Sequence, residues 1–279
     1  MIHCRLCRSQ HTQRSFTAPN NHGRIRIDNT QYNLYYCKNC TSYFLNLKTS
    51  SQYYQQAYQG SYYPSPSKFI SFLNHISFIL KRIHIETLLG FPNHIKILDI
   101  GCGPGEFLSH LPSQYSKHGL EINKKAARIA SKRGIKMFTS DIQKSSLPAN
   151  YYDCITLWHS LEHFDSPQTV LNKIYHSLRP GGLIIMNTPN SSSLGFRLGR
   201  QDYFHLDAPR HLYLPNPTSL KLALTGSGFH TIKSTPQIFE YPLDLFWSVR
   251  QHPWRAIIYL FYPFLKLFSS ETITTTAFK

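Results

Sequence analysis

After Pro92 the chain alternates short apolar runs with segments of helical period, a pattern that few folds accept. The runs IKILDI, SKHGLEI, IKMFTSD, YDCITLWH and GLIIMNT have the length and content of strands. EFLSHL, NKKAARIASKR and VLNKIYHSL read as helices between them, the second ended by Gly134. Strands joined through helices pair in parallel, so this segment predicts a doubly wound α/β sheet. Such sheets bind ligands beyond the carboxyl ends of their strands, near the point where strand order reverses.

The first run leads into KILDIGCGPGEF, where Gly101, Gly103 and Gly105 alternate. A turn after a strand needs one glycine. Three at alternate positions imply that something lies close against the backbone. A nicotinamide dinucleotide would suit the loop alone, and the neighbouring residues argue against it. Asp99 stands just before the loop, Glu121 ends the second strand in HGLEIN, and Asp141 follows the third in TSDIQ.

In their order and spacing, over roughly residues 92–235, these segments resemble the class I S-adenosylmethionine-dependent methyltransferases. LDIGCGPG is similar to the family's first motif, YDCITLWHSLEHF to its fourth, and LRPGG to the turn before strand five. The resemblance implies a Rossmann-like doubly wound seven-stranded sheet with S-adenosyl-L-methionine at its switch point. It implies that Glu121, with Ile122 beside it, holds both ribose hydroxyls, since one carboxylate accepts two hydrogen bonds from a diol. Asp141 and Ile142 then meet the adenine, and Asp99 receives the cofactor's amino group. The loop of Gly101, Cys102, Gly103 and Gly105 lies along the methionine and ribose, with Trp158 and His159 facing the cofactor from strand four. Cys102 and Cys154 read in themselves as small core or loop residues. HTIKSTP becomes strand six, and TITTTAFK alternates as the antiparallel seventh strand should, leaving residues 236–270 as a hydrophobic insertion between them.

Methyl transfer from a sulfonium is an in-line displacement with a good leaving group, so the protein mainly aligns the acceptor and removes a proton where one must leave. The candidate catalytic residues are His159 and His163, which follow strand four, and His211. His211 belongs to QDYFHLDAPRHLYLP, which gathers His205, Asp207 and Arg210 with it. Arg210 and His211 read either as binding and catalytic groups or as a pair tying this loop to the sheet. Glu162 and His163 also read as capping and packing residues, and no complete metal set is visible near strand four.

Four of the six cysteines fall in two tight pairs, Cys4 with Cys7 and Cys37 with Cys40. Two residues between cysteines let both thiolates turn toward one ion, and two such knuckles complete a tetrahedral Zn2+ site. Between the pairs, RIRIDNTQYNLYYC alternates as a small ribbon of strands does. Residues 1–48 therefore read as a zinc-ribbon-like module, 49–91 as a linker and leading helix, and 92–279 as the cofactor-binding domain.

Lys and Arg number 30 against 14 Asp and Glu, a formal charge of +16, which points to an anionic partner. The start, MIHCRLCRSQ, lacks the apolar core of a signal peptide, and no run reaches the length of a membrane span, so the expected location is cytoplasmic. AIIYLFYPFLKLF in the insertion, with Trp247, Trp254, Arg250 and Arg255 nearby, suits peripheral contact with an anionic membrane, a lid over the substrate, or a dimer contact. The expected acceptor is a small molecule, a saccharide or a lipid-linked intermediate. RNA is the alternative, because some zinc-bearing RNA methyltransferases are basic. A non-catalytic module that keeps the cofactor fold is the third reading.

Overall fold

A computed structural model of the chain describes residues 2–22, 25–47, 68–138, 141–237, 241, 243–262, 264–265 and 269–279. The expected linker at Ser50–Pro66 lies outside the described residues. The chain opens with strands β1 (Thr12–His22), β2 (Ile25–Cys37) and β3 (Tyr43–Leu45), followed by helix α1 (Lys68–Leu89). The alternating part follows as β4 (Lys96–Ile100), α2 (Glu106–Ser109), β5 (Ser116–Leu120), α3 (Lys124–Lys132), β6 (Lys136–Phe138) and β7 (Tyr152–Trp158). A 3-10 turn at Leu161–His163 leads to α4 (Pro167–Ser177), β8 (Leu178–Pro189) and α5 (Leu194–Gly199). Then come β9 (Tyr213–Leu214), α6 (Pro217–Gly226), β10 (His230–Pro236), α7 (Asp244–Ser248), α8 (Arg255–Leu260) and β11 (Thr272–Phe278).

Seven strands form one sheet in the order β10-β11-β8-β7-β4-β5-β6. The five from β8 to β6 run parallel, and β11 is antiparallel to both β8 and β10. This is the expected doubly wound sheet with its closing antiparallel strand. Central strands are covered on both faces and so carry continuous apolar side chains: Ile97, Leu98, Ile155, Leu157, Ile184 and Met186 are all buried. Each such burial stabilises the fold by roughly 1.5–3 kcal/mol. Strand order reverses between β4 and β7, and the glycine loop leaves β4 at that point.

The N-terminal strands do not stand apart. They form a four-stranded sheet, β1-β2-β3-β9, whose last strand comes from the main body of the chain. Phe44 pairs with Tyr213, and Leu45 N donates to Leu212 O at 2.8 Å. Arg5 Nη1 reaches the Asp165 carboxylate at 3.2 Å, and Asn216 Nδ2 donates to Thr41 O at 2.8 Å. A two-residue strand is too short to announce itself by periodicity, so this joint is invisible in the sequence.

Candidate active site and cysteine cluster

Gly101 and Gly103 both take left-handed φ, +78° and +54°, after β4. A Cβ on Gly101 would come 2.8 Å from Ser160 Cβ, and the Gly103 N–H donates to Glu121 Oε2 at 2.9 Å. Glu121 Oε1 accepts from Asn123 N at 2.7 Å. Each carboxylate oxygen keeps a second lone pair, so Glu121 is oriented by the backbone and still able to accept from a ligand. Gly105 has a different neighbour: its Cβ would lie 2.3 Å from Ile135 Cδ1, so its missing side chain makes room for α3 and β6 to pack. The Cys102 thiol is buried and pushed up by that burial, as is that of Cys154.

Asp99 is 2% exposed beneath the loop. Burial pushes its carboxyl up to about 7, against a hydrogen bond from Thr156 Oγ1 at 2.8 Å and the attraction of Lys81. The Lys81 ammonium sits over the Trp158 ring at 4.0 Å, buried between α1 and β7. Neither Lys81 nor Thr156 stands out in the sequence. Lys81 is one polar residue on an apolar helix, and Thr156 is hidden inside a strand.

A cavity of about 750 Å³ opens at these strand ends. Asp99, Gly101, Cys102 and Gly103 line it from β4, with Glu121 and Ile122 beyond β5. Asp141 and Ile142, after β6, and Trp158 and His159, at the end of β7, complete the wall, with Phe78 and Lys81 from α1 and Tyr241 from the insertion. Gly105 is outside this wall. The size is that of an organic cofactor site, and the buried Trp158 Nε1 has no hydrogen-bond partner among the described residues. A donor without a partner, two buried acids and a glycine floor fit S-adenosylmethionine.

His159 holds a left-handed backbone, φ +53°, rare for a residue with a side chain. Its ring stacks edgewise on Tyr241 at 5.3 Å, and its Nδ1 lies 3.6 Å from Glu162 Oε1. Glu162 is 0% exposed, and neither carboxylate oxygen has a hydrogen-bond partner among the described residues. Burial alone would raise Glu162, but His159 beside it opposes that and the carboxyl is lowered to about 2. His163 lines the cavity, whereas His211 lies behind it at a ring separation of 4.9 Å. His163 Nδ1 donates to Arg210 O at 2.9 Å and His211 Nδ1 to His205 O at 2.7 Å, which leaves each neutral ring an Nε2 acceptor. Burial pushes His163 down to about 4 and also lowers His211. The ligand atoms of Glu162, His163 and His211 lie within 4.8 Å of one another, a metal-capable group that no local spacing reveals because His211 arrives from a distant loop. Arg210 is buried in an ion pair with Asp207, and His205 Nε2 meets Asp244 Oδ2 of α7 at 3.3 Å.

The Sγ atoms of Cys4, Cys7, Cys37 and Cys40 all lie within 4.8 Å of one another. Cys4 and Cys40 are 3.6 Å apart, Cys7 and Cys37 3.5 Å. A tetrahedron of ~2.3 Å metal–sulfur bonds has edges of about 3.8 Å, so the four sulfurs are placed to take Zn2+. The two knuckles match: Arg8 and Thr41, each following the second cysteine of its pair, both take φ near +60°.

Residues 74–234, more than half of the chain, match a family model described as a methyltransferase domain. The chain belongs to this methyltransferase family. The ubiquinone biosynthesis O-methyltransferase of Shewanella sp. (strain ANA-3) is 29% identical over 131 residues, 44% of this chain and 55% of that protein. A malonyl-[acyl-carrier protein] O-methyltransferase of Priestia megaterium is 26% identical over 172 residues, 59% of this chain and 58% of the relative. The methyltransferase chain thus spans about half the length of the curated relatives it matches. Among solved structures, an S-adenosylmethionine-dependent methyltransferase of Archaeoglobus fulgidus superposes with a TM-score of 0.51 at 21% identity, covering 76% of this chain and all of that one. The plantazolicin methyltransferase BpumL gives a TM-score of 0.53 at 16% identity, over 74% of this chain and 84% of its own. These two show the fold shared by the methyltransferase domain.

Proposed function

We propose that the chain transfers a methyl group from S-adenosylmethionine to a small-molecule acceptor, the finer class being a saccharide or a lipid-linked intermediate. The convergence of Asp99, Glu121 and Asp141 on one cavity at the switch point carries this reading. Bound there, the cofactor supplies an electrophilic methyl on a sulfonium. Glu121 would accept from the ribose diol, Asp141 and Ile142 would border the adenine, and Asp99 would take the ammonium.

His159 stands at the mouth of the same cavity with Glu162 behind its Nδ1. In this reading His159 would take the acceptor's proton as the acceptor's lone pair forms the new bond to the methyl carbon, the sulfonium–methyl bond breaking to leave a neutral thioether. Tyr241 packs edge-on against the His159 ring and helps to orient it. Relatives named for ubiquinone biosynthesis, demethylmenaquinone and malonyl-[acyl-carrier protein] support a small or carrier-linked acceptor. Cys4, Cys7, Cys37 and Cys40 would hold Zn2+ as a structural cross-link for the ribbon.

The test is transfer of labelled methyl from the cofactor to separated metabolite, lipid and RNA fractions. Label in metabolite or lipid supports the reading. Label confined to RNA would replace it with the nucleic-acid alternative that the +16 charge allows.

A further inference from the structure

Nothing in methyl transfer explains the outer surface of the segment between β10 and β11. This segment presents apolar side chains in two directions. Ile258, Tyr259, Tyr262 and Leu265 turn inward and pack with Leu245, Val249 and Leu194. Trp254, Ile257, Phe261 and Phe264, spaced three or four residues apart, turn outward together with Leu260. Trp254 is 63% exposed, Leu260 75% and Phe264 66%. One face completes a core, so the helix has no folding need for the second. Isolated apolar residues on a surface are ordinary, but a contiguous group of this kind marks an interaction site.

The surrounding charge selects the partner. Asp244 is the one acid between residues 243 and 265, and it is buried against His205. Arg250 and Arg255 are exposed, and Arg255 Nη1 donates to Arg250 O at 3.0 Å, which brings both residues to the same turn. Aromatic and aliphatic side chains beside exposed arginines suit the boundary between lipid headgroups and acyl chains, where the rings bury and the cations meet phosphates. At six residues α8 is far too short to cross a bilayer, and no described helix is long and apolar enough to do so. The same segment supplies Tyr241, which stacks on His159 at the cavity wall.

We propose that this face docks on an anionic lipid surface. Trp254, Leu260, Phe261 and Phe264 enter the headgroup region, and Arg250 and Arg255 contact lipid phosphates. Docking brings the cavity next to the bilayer, where a lipid-linked acceptor is within reach. That consequence rests on the proposed function; the docking itself does not.

The experiment is flotation of the full chain with phosphatidylcholine vesicles prepared with and without phosphatidylglycerol, at low and high salt. The wild type floats with the anionic vesicles and stays behind with the neutral ones. Arg250→Glu with Arg255→Glu weakens binding about thirtyfold or more, at ~1 kcal/mol for each arginine lost. Leu260→Gln with Phe264→Ser abolishes it at either salt concentration. Both doubles alter exposed residues, and unchanged binding of S-adenosylmethionine shows that they are folded. Equal flotation with both vesicle types, or wild-type flotation of either double, overturns the proposal. So does a dimer in light scattering that Leu260→Gln with Phe264→Ser dissociates while no vesicle is bound, because a second copy then covers the face. A wild type that floats but binds no cofactor leaves the docking intact and refutes the methyltransferase reading instead.

Discussion

Thr156 Oγ1 donates to Asp99 Oδ1 at 2.8 Å, joining β7 to β4 at the strand ends that face the cavity. This bond favours ionised Asp99, but burial outweighs it and pushes the carboxyl up to about 7. An acid whose folded value lies above its unfolded one favours folding most while it is protonated. Its ionisation therefore penalises the cofactor-free fold as pH climbs from about 4 through 7, by roughly 3–4 kcal/mol at the top of that range. Asp99→Asn is expected to raise the cofactor-free Tm at pH 8 by several degrees and to change it little at pH 4. The check is a pair of thermal melts.

The same group sets the pH dependence of binding. An ammonium from the cofactor favours ionised Asp99, so affinity tightens from pH 6 to pH 8 in the wild type. In Asp99→Asn affinity is at least about tenfold weaker at pH 8 and nearly flat over that range, as calorimetric titration would show.

His159 is expected to act on the acceptor rather than on the cofactor. His159→Ala should lower kcat by about 10²–10⁴ and leave cofactor affinity within a few fold. Equal losses in both would place the side chain in cofactor binding instead. Steady-state kinetics with the acceptor found by methyl labelling separates the two outcomes.

Purified chain is expected to carry one zinc, and Cys4→Ser with Cys40→Ser none, by elemental analysis. Because β3 pairs with β9, loss of the ion should also loosen the loop that carries Asp207, Arg210 and His211. Amide exchange at Leu212–Leu214 should therefore quicken along with that of residues 12–45.

Asn216 serves two structures at once. Its Oδ1 caps α6 by accepting from Ser219 N at 2.8 Å, and its Nδ2 donates to Thr41 O across the seam. Asn216→Ala is expected to cost about 2–3 kcal/mol in chemical denaturation, more than a cap alone. Thr41→Ala leaves the backbone acceptor in place and should cost less than about 1 kcal/mol.

The legible parts of this protein are those whose physics is local. Strand ends bearing Asp99, Glu121 and Asp141 could be placed because apolar runs of fixed length show where each strand stops. The cysteine pairs could be read because two intervening residues define a knuckle. Parts assembled across distance were hidden. Lys81 reaches the cavity only because α1 packs beside β7, Glu162 meets His211 only through a loop some fifty residues further on, and Tyr213–Leu214 becomes a strand only when β3 lies next to it. Gly105 has a packing neighbour that spacing alone does not reveal. It shares the spacing of its neighbours, yet its space is taken by Ile135.

The most direct measurement is calorimetric titration of the chain with S-adenosylmethionine, beside the variant Glu121→Ala. The wild type is expected to bind one equivalent, and the variant at least about a hundredfold more weakly, since two charge-assisted hydrogen bonds to the ribose are lost. No binding by a folded wild type at millimolar cofactor, or equal binding by the variant, would contradict the assignment of this cavity.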